Sequence, residues 1–140
     1  MKYVYRIPAP LQLDAKGKYI KRPMVEIEIF GAKGKMKQLA LIDSGADVSL
    51  FNYEIAEFIG IDLSNAKKFP VIGVTGMGEF DVVDEVEIKV EHLEKTKIPV
   101  GFIKSQHVAA LLGQEGFFDH NRIRFEKDHD TFEIIPVKGK

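Results

Sequence analysis

Apolar and polar residues alternate with a period of two along much of the chain. In "MVEIEIF", Val25, Ile27 and Ile29 share one side while Glu26 and Glu28 take the other, which predicts a half-buried strand. "GAKGK" supplies turn residues for a hairpin into a second strand over Met36–Ile42. "DEVEIKVE" alternates again, with Val86, Ile88 and Val90 on one face. "RIRFE", the polar turn "KDHD" and "TFEIIPV" predict a C-terminal hairpin. A further strand is expected over Tyr3–Ile7, ended or kept at an edge by Pro8 and Pro10.

The period shifts toward that of a helix in "NYEIAEFIG". Asn52 is the N-cap, Ile55, Phe58 and Ile59 recur at helical spacing, and Gly60 closes the segment. A short helical turn is expected across Gln114–His120. Many short strands and few helices predict a mainly β domain, a barrel or a sandwich. A length of 140 residues suits a single domain over 1–140, and no linker, repeat or low-complexity segment interrupts it.

Composition narrows the function classes. An apolar fraction of 45% with 29% charged residues is ordinary for a globular protein, and a net charge of -1 gives no general attraction to nucleic acid or an anionic membrane. The Lys-Gly-Lys pieces at 16–18, 33–35 and 138–140 are expected in solvated turns and at the chain end. With no cysteine, disulfides, thiol catalysis and cysteine-ligated zinc are excluded. No apolar run approaches the roughly 20 residues of a membrane span, and "MKYVYRIPAP" lacks the apolar core of a signal peptide. The expectation is a soluble intracellular protein, placed in the cytoplasm. His92, His107, His120 and His129 show no zinc-helix spacing, and "GVTGMG" lacks both the Gly-Lys-Ser/Thr ending and the following helix of a phosphate loop. Asp81, Asp84 and Glu85 cluster on what is expected to be a solvated strand face, and Phe117-Phe118 is expected to fill the core behind Gly113.

One stretch carries chemistry. In "LALIDSGADVSLFN" an apolar run stops at Asp43, and Ser44, Gly45 and Ala46 follow. Gly45 permits a tight backbone turn, Ala46 keeps it narrow, and Ser44 can bond neighbouring backbone. Taken alone, the stretch reads as an ordinary β-turn. Further along, two apolar arms in "FPVIGVTGMGEFDVV" flank a glycine-rich tip at Thr75, Gly76, Met77 and Gly78, a hairpin able to bend. Later still, Leu111 and Leu112 directly precede Gly113.

These three features, in this order, resemble the retropepsin-like aspartic proteases, the single-domain group that includes the retroviral enzymes. The resemblance covers Leu41-Ile42-Asp43-Ser44-Gly45-Ala46, the hairpin around Thr75–Gly78 and Leu111-Leu112-Gly113, within about Pro23 to Val137. It implies a closed β barrel of that type, with one or two short helices, in which the Asp-Ser-Gly loop passes near the Leu-Leu-Gly segment. It also implies a homodimer. The chain has one such loop, so a catalytic pair needs Asp43 from each of two subunits on a two-fold axis. Chain termini commonly contribute to the dimer interface in this family, which points to Tyr3–Ile7 and Thr131–Val137.

The resemblance further implies an endopeptidase acting on extended peptide without a metal or cofactor. Two carboxylates held together cannot both ionise cheaply, so the dyad shares a proton, as aspartic dyads are known to do. The ionised member would activate a bridging water while the protonated one polarises the scissile carbonyl. Ser44 would brace the loops and Gly45 would admit substrate backbone. Asp47 matches the family position that contacts substrate main chain, and Met77 at the flap tip would meet substrate side chains. Gln114 departs from the pattern: retroviral relatives often carry an Arg there, whose charge Gln cannot supply. Two other readings stay open. One is a non-catalytic dimeric peptide-binding or scaffold module of the same fold. The other is a β-barrel binding domain in which Asp-Ser-Gly is only a turn.

Overall fold

The computed structural model describes residues 1–73 and 76–138, and within these only the backbone of 71–73 and 76–78. The expected hairpin opens the barrel. Strand β2 (Met24–Gly31) turns through Ala32-Lys33 into β3 (Gly34–Ile42), with Gly31 opposite Gly34. The predicted alternation holds: Val25, Ile27 and Ile29 are buried on β2, as are Ala40 and Ile42 on β3. Then come β4 (Ser49–Asn52), β5 (Lys67–Gly73), the long β6 (Gly76–Val90), β7 (Lys95–Ile103) and β8 (Ala110–Leu112). Hydrogen bonding runs β2-β3-β8-β4-β7-β6, and β6 returns to β2 through Ile27–Phe30 and Glu87–Val90. Six strands therefore close on themselves, which removes the exposed edges an open sheet would leave.

Strand β5 lies outside that closure, and among the described residues it pairs only with β6. Beyond Phe80, which also pairs with Ile103 of β7, the two form a ribbon with Ile72 opposite Met77 and Gly73 opposite Gly76. The expected glycine-rich hairpin is thus present as backbone. Thr75, assigned to its tip, lies outside the described residues.

The barrel is filled by one apolar cluster, including Phe51, Ile88, Ile98, Val100, Phe102 and Leu112, all nearly or fully buried. Each such side chain contributes roughly 1.5–3 kcal/mol on burial. A second sheet in the order β1 (Lys2–Val4), β10 (Thr131–Pro136) and β9 (Asn121–Glu126) adds Tyr3, Phe132 and Ile134 to the same core. The N-terminal strand is shorter than the expected Tyr3–Ile7. The Tyr5 N–H still bonds the Asp130 carbonyl, one place beyond that ladder, but Arg6 pairs with Arg22, so the chain leaves the sheet before Pro8. Strand β10 has both edges occupied within the chain, by β1 and β9.

Helix α1 (Tyr53–Ile59) forms where predicted. Asn52 Oδ1 accepts from the Glu54 N–H at 2.9 Å, and Gly60 takes the left-handed conformation at φ 77° that a side chain disfavours. The Lys33 N–H of the β2–β3 turn donates to the Ile59 carbonyl at 2.9 Å, so the hairpin satisfies part of the helix C-terminus. The inward face differs from expectation at one position: Ile55, Ala56 and Ile59 are buried, but Phe58 is 73% exposed. At about 100° per residue Ile55, Ala56 and Ile59 share one narrow arc, and Phe58 falls to the side of it, toward solvent. The turn expected across Gln114–His120 is helical only as one 3-10 turn, Phe118–His120. Phe117 is fully buried, as expected, and Phe118 packs edge-on against it with ring centroids 5.7 Å apart.

Candidate functional site

Strand β3 runs parallel to β8, with Leu41 opposite Leu111 and Ile42 opposite Leu112, while β4 runs antiparallel to β8. The connection from β3 to β4 therefore straddles the end of β8, and that connection is Asp43–Val48. Asp43 extends the ladder by one bond, its N–H donating to the Leu112 carbonyl at 3.0 Å. The carboxylate thus stands at the first position beyond two fully hydrogen-bonded strands, and it is half-buried.

The loop is held at several points. Gly45 N–H donates to Asp43 Oδ1 at 2.9 Å, and Ala46 N–H to the Asp43 carbonyl at 3.2 Å. The first bond is one an ordinary Asx turn also makes. What a free turn does not have is the strand passing beneath it. The Gln114 N–H donates to the Ala46 carbonyl at 2.8 Å, and the Glu115 N–H to the Asp47 carbonyl at 2.9 Å. Val48 and Glu115 form a parallel bridge. The contact is too close for a side chain at Gly113: a Cβ there would stand 2.7 Å from the carbonyl oxygens of both Ala46 and Val48. Glycine at 113 is what lets the two segments cross.

The sequence-predicted residues divide accordingly. Asp43, Ser44, Gly45, Ala46, Leu111, Leu112 and Gly113 come together at the crossing. Asp47 follows on the same loop and is exposed. Gly76, Met77 and Gly78 lie on the β5–β6 ribbon. Two participants were missed. Ser49 is fully buried and its Oγ accepts the Gly113 N–H at 3.0 Å. Its signal was a lone polar residue on the inward parity of "SLFN", in phase with Phe51. Gln114 was read only for the charge it lacks. Its Nε2 donates to the Ser44 carbonyl at 2.8 Å, so the bond at Ser44 runs through its backbone.

Among the described residues, no group of three or more His, Asp or Glu is placed to hold a metal ion, and no helix is long and apolar enough to cross a membrane. Asp81, in the acidic cluster of β6, is only 19% exposed at its side chain and pairs with Lys68 at 3.2 Å, so it is less solvated than its strand pattern suggested. A separate cleft of about 770 Å³ lies between the N-terminal arm, α1 and residues 106–109, bordered by Pro10, Ile55 and the exposed Phe58.

Fold and site together define a class: a closed six-stranded β barrel with a carboxylate loop seated on a strand crossing. No protein-family model and no curated protein matches the chain.

Proposed function

We propose that the protein is a homodimeric aspartic endopeptidase of the retropepsin-like type, in which Asp43 of each subunit forms the catalytic pair. The observation that carries this reading is the crossing. A carboxylate is set at the end of a closed-barrel strand, its amide on Leu112, over a glycine that cannot be enlarged. A turn of no further consequence needs none of this framing. Rigid placement of a reacting group is what general acid–base chemistry requires.

In the mechanism, the ionised Asp43 takes a proton from a water held between the two carboxylates. The water oxygen bonds to the scissile carbonyl carbon as the protonated Asp43 gives its proton to the carbonyl oxygen. The tetrahedral diol then collapses, a proton passes to the amide nitrogen, and the C–N bond breaks to give an acid and an amine. The β5–β6 ribbon, with Gly76, Met77 and Gly78, closes over the extended peptide and excludes water. Asp47 contacts substrate main chain. Because β10 is already flanked on both sides, subunit pairing through the terminal sheet uses the outer edge of β1 or β9.

The Gly45-to-Asp43 bond is equally at home in a plain turn, which keeps open two non-catalytic readings, a dimeric peptide-binding module of the same fold and a β-barrel binding domain in which Asp-Ser-Gly is only a turn. A mixing experiment separates proteolysis from both. Wild-type protein is incubated with increasing Asp43→Asn protein and assayed on a peptide library, with dimerisation followed by sedimentation. Proteolysis through a shared pair predicts that activity falls as wild-type homodimers are replaced by mixed dimers, each of them inactive. Peptide binding without cleavage by the wild type at any pH from acid to neutral supports the binding module instead.

A further inference from the structure

Gln114 is bonded to the Asp-Ser-Gly loop twice. Its backbone N–H donates to the Ala46 carbonyl and its side-chain Nε2 to the Ser44 carbonyl, each at 2.8 Å. Between those two carbonyls lies Gly45, whose N–H holds the Asp43 carboxylate. Ser44 and Gly45 are exposed, so burial does not fix the tip of the loop. Exposed segments with few packed contacts open at low free-energy cost. One residue on the far side of the crossing therefore ties down the loop on both sides of its tip, at Ser44 and at Ala46.

We propose that Gln114 is a positioning residue, holding the Asp43 carboxylate in place through a neutral amide clamp on the Ser44 carbonyl. The catalytic consequence rests on the proteolysis reading above, whereas the clamp itself does not. A primary amide suits the task. It donates N–H bonds at every working pH and carries no charge, so it orders the loop without adding a cation beside Asp43 and Asp47. A guanidinium at 114 would pair with a carboxylate. Gln114 reaches a carbonyl and leaves the acids of the loop to substrate and water.

Two variants of the full chain test this, Gln114→Ala and Gln114→Glu, with amide hydrogen exchange at Gly45 and Ala46 as the first readout. Loss of one net hydrogen bond predicts roughly five- to tenfold faster exchange at both amides in Gln114→Ala relative to wild type. An ionised Glu has no donor, so Gln114→Glu should match Gln114→Ala at neutral pH. Its exchange ratio should return toward wild type below about pH 4, where the protonated acid can donate again. The second readout is peptide hydrolysis: kcat falls with KM held, and Gln114→Glu recovers kcat relative to wild type as pH is lowered. Unchanged exchange at Gly45 and Ala46 in both variants overturns the clamp. Faster exchange with kcat unchanged overturns the positioning role. Clamp-dependent exchange in a wild-type protein that cuts no peptide leaves the clamp standing and overturns proteolysis, so the two failures are distinct.

Discussion

Asp43 and Leu112, distant in sequence, are joined by a backbone hydrogen bond of 3.0 Å from the Asp43 N–H to the Leu112 carbonyl. The bond is the last rung of the parallel β3–β8 pairing, and it ends where the carboxylate begins. The position of the carboxylate therefore depends on residues of the crossing strand, far from it in the chain.

Gly113→Ala tests the crossing directly. The added Cβ would meet the Ala46 and Val48 carbonyl oxygens at 2.7 Å, and these are backbone atoms tied into a ladder that cannot swing aside. The expected cost is about 2 kcal/mol or more, read as a lowered denaturant midpoint with the slope unchanged. A variant as stable as wild type would show that the loop can lift off the strand.

Ser49→Ala removes the buried acceptor of the Gly113 N–H. The donor is left without a partner in a site that is 0% exposed at Ser49, so a loss of roughly 1–3 kcal/mol is expected. Thermal unfolding measures it. An effect near zero would mean that the Gly113 amide has found another partner, which a structure of the variant would reveal.

Asn52→Ala should cost about 2 kcal/mol, more than a simple cap. Asn52 Oδ1 caps α1, worth about 1 kcal/mol. Its Nδ2 also donates to the Ser105 and Val108 carbonyls at 2.8 and 3.0 Å. Asn52→Asp keeps the cap oxygen but replaces the amide donor with a carboxylate oxygen facing those two carbonyls, so by chemical denaturation it should lose the tether and add repulsion while the cap is kept. Equal stability of Asn52→Asp and wild type would show that the tether contributes nothing.

Tyr3 predicts an alkaline limit. Its hydroxyl is pushed up to about 12, first by burial and then by the negative charge of Glu91, and it donates to the Glu91 carbonyl at 2.6 Å. A raised folded value stabilises the protein fully below the unfolded value of 10.0 and is lost as pH rises from there toward about 12. Denaturation followed by circular dichroism between pH 9 and about 12 should show this loss in wild type. Tyr3→Phe should show a shallower decline over the same range, because the neighbouring Tyr5, also raised by burial, still titrates. Identical slopes in the two proteins would remove Tyr3 from the account.

Local pattern carried far in this chain. The alternation in "MVEIEIF" and "DEVEIKVE" gave the buried faces of β2 and β6, and the Asn52 and Gly60 signals gave both ends of α1. Such features are legible because a strand or a cap is decided by residues a few positions apart. Strand β7 was missed, since "KTKIPVGFI" has a proline inside it and buries adjacent positions on both sides of the chain at Val100, Gly101 and Phe102. Phe58 was misplaced for a different reason: helical spacing marks a wide apolar stripe, but only the packing of the helix on the barrel decides which edge of that stripe is buried, here the edge carrying Ala56.

The candidate site divides in the same way. By itself, the sequence determined a carboxylate at the end of an apolar strand, a narrow Ser-Gly-Ala loop after it and a glycine-rich hairpin beyond, because those are properties of neighbouring residues. Only the tertiary structure decided that β8 passes between β3 and β4, that Gly113 lies against the Ala46 and Val48 carbonyls, and that Ser49 and Gln114 tie the two segments together. The reason is physical. These contacts join residues far apart in the chain, and they exist only once the barrel has closed and paid the loop-closure entropy that brings them into reach.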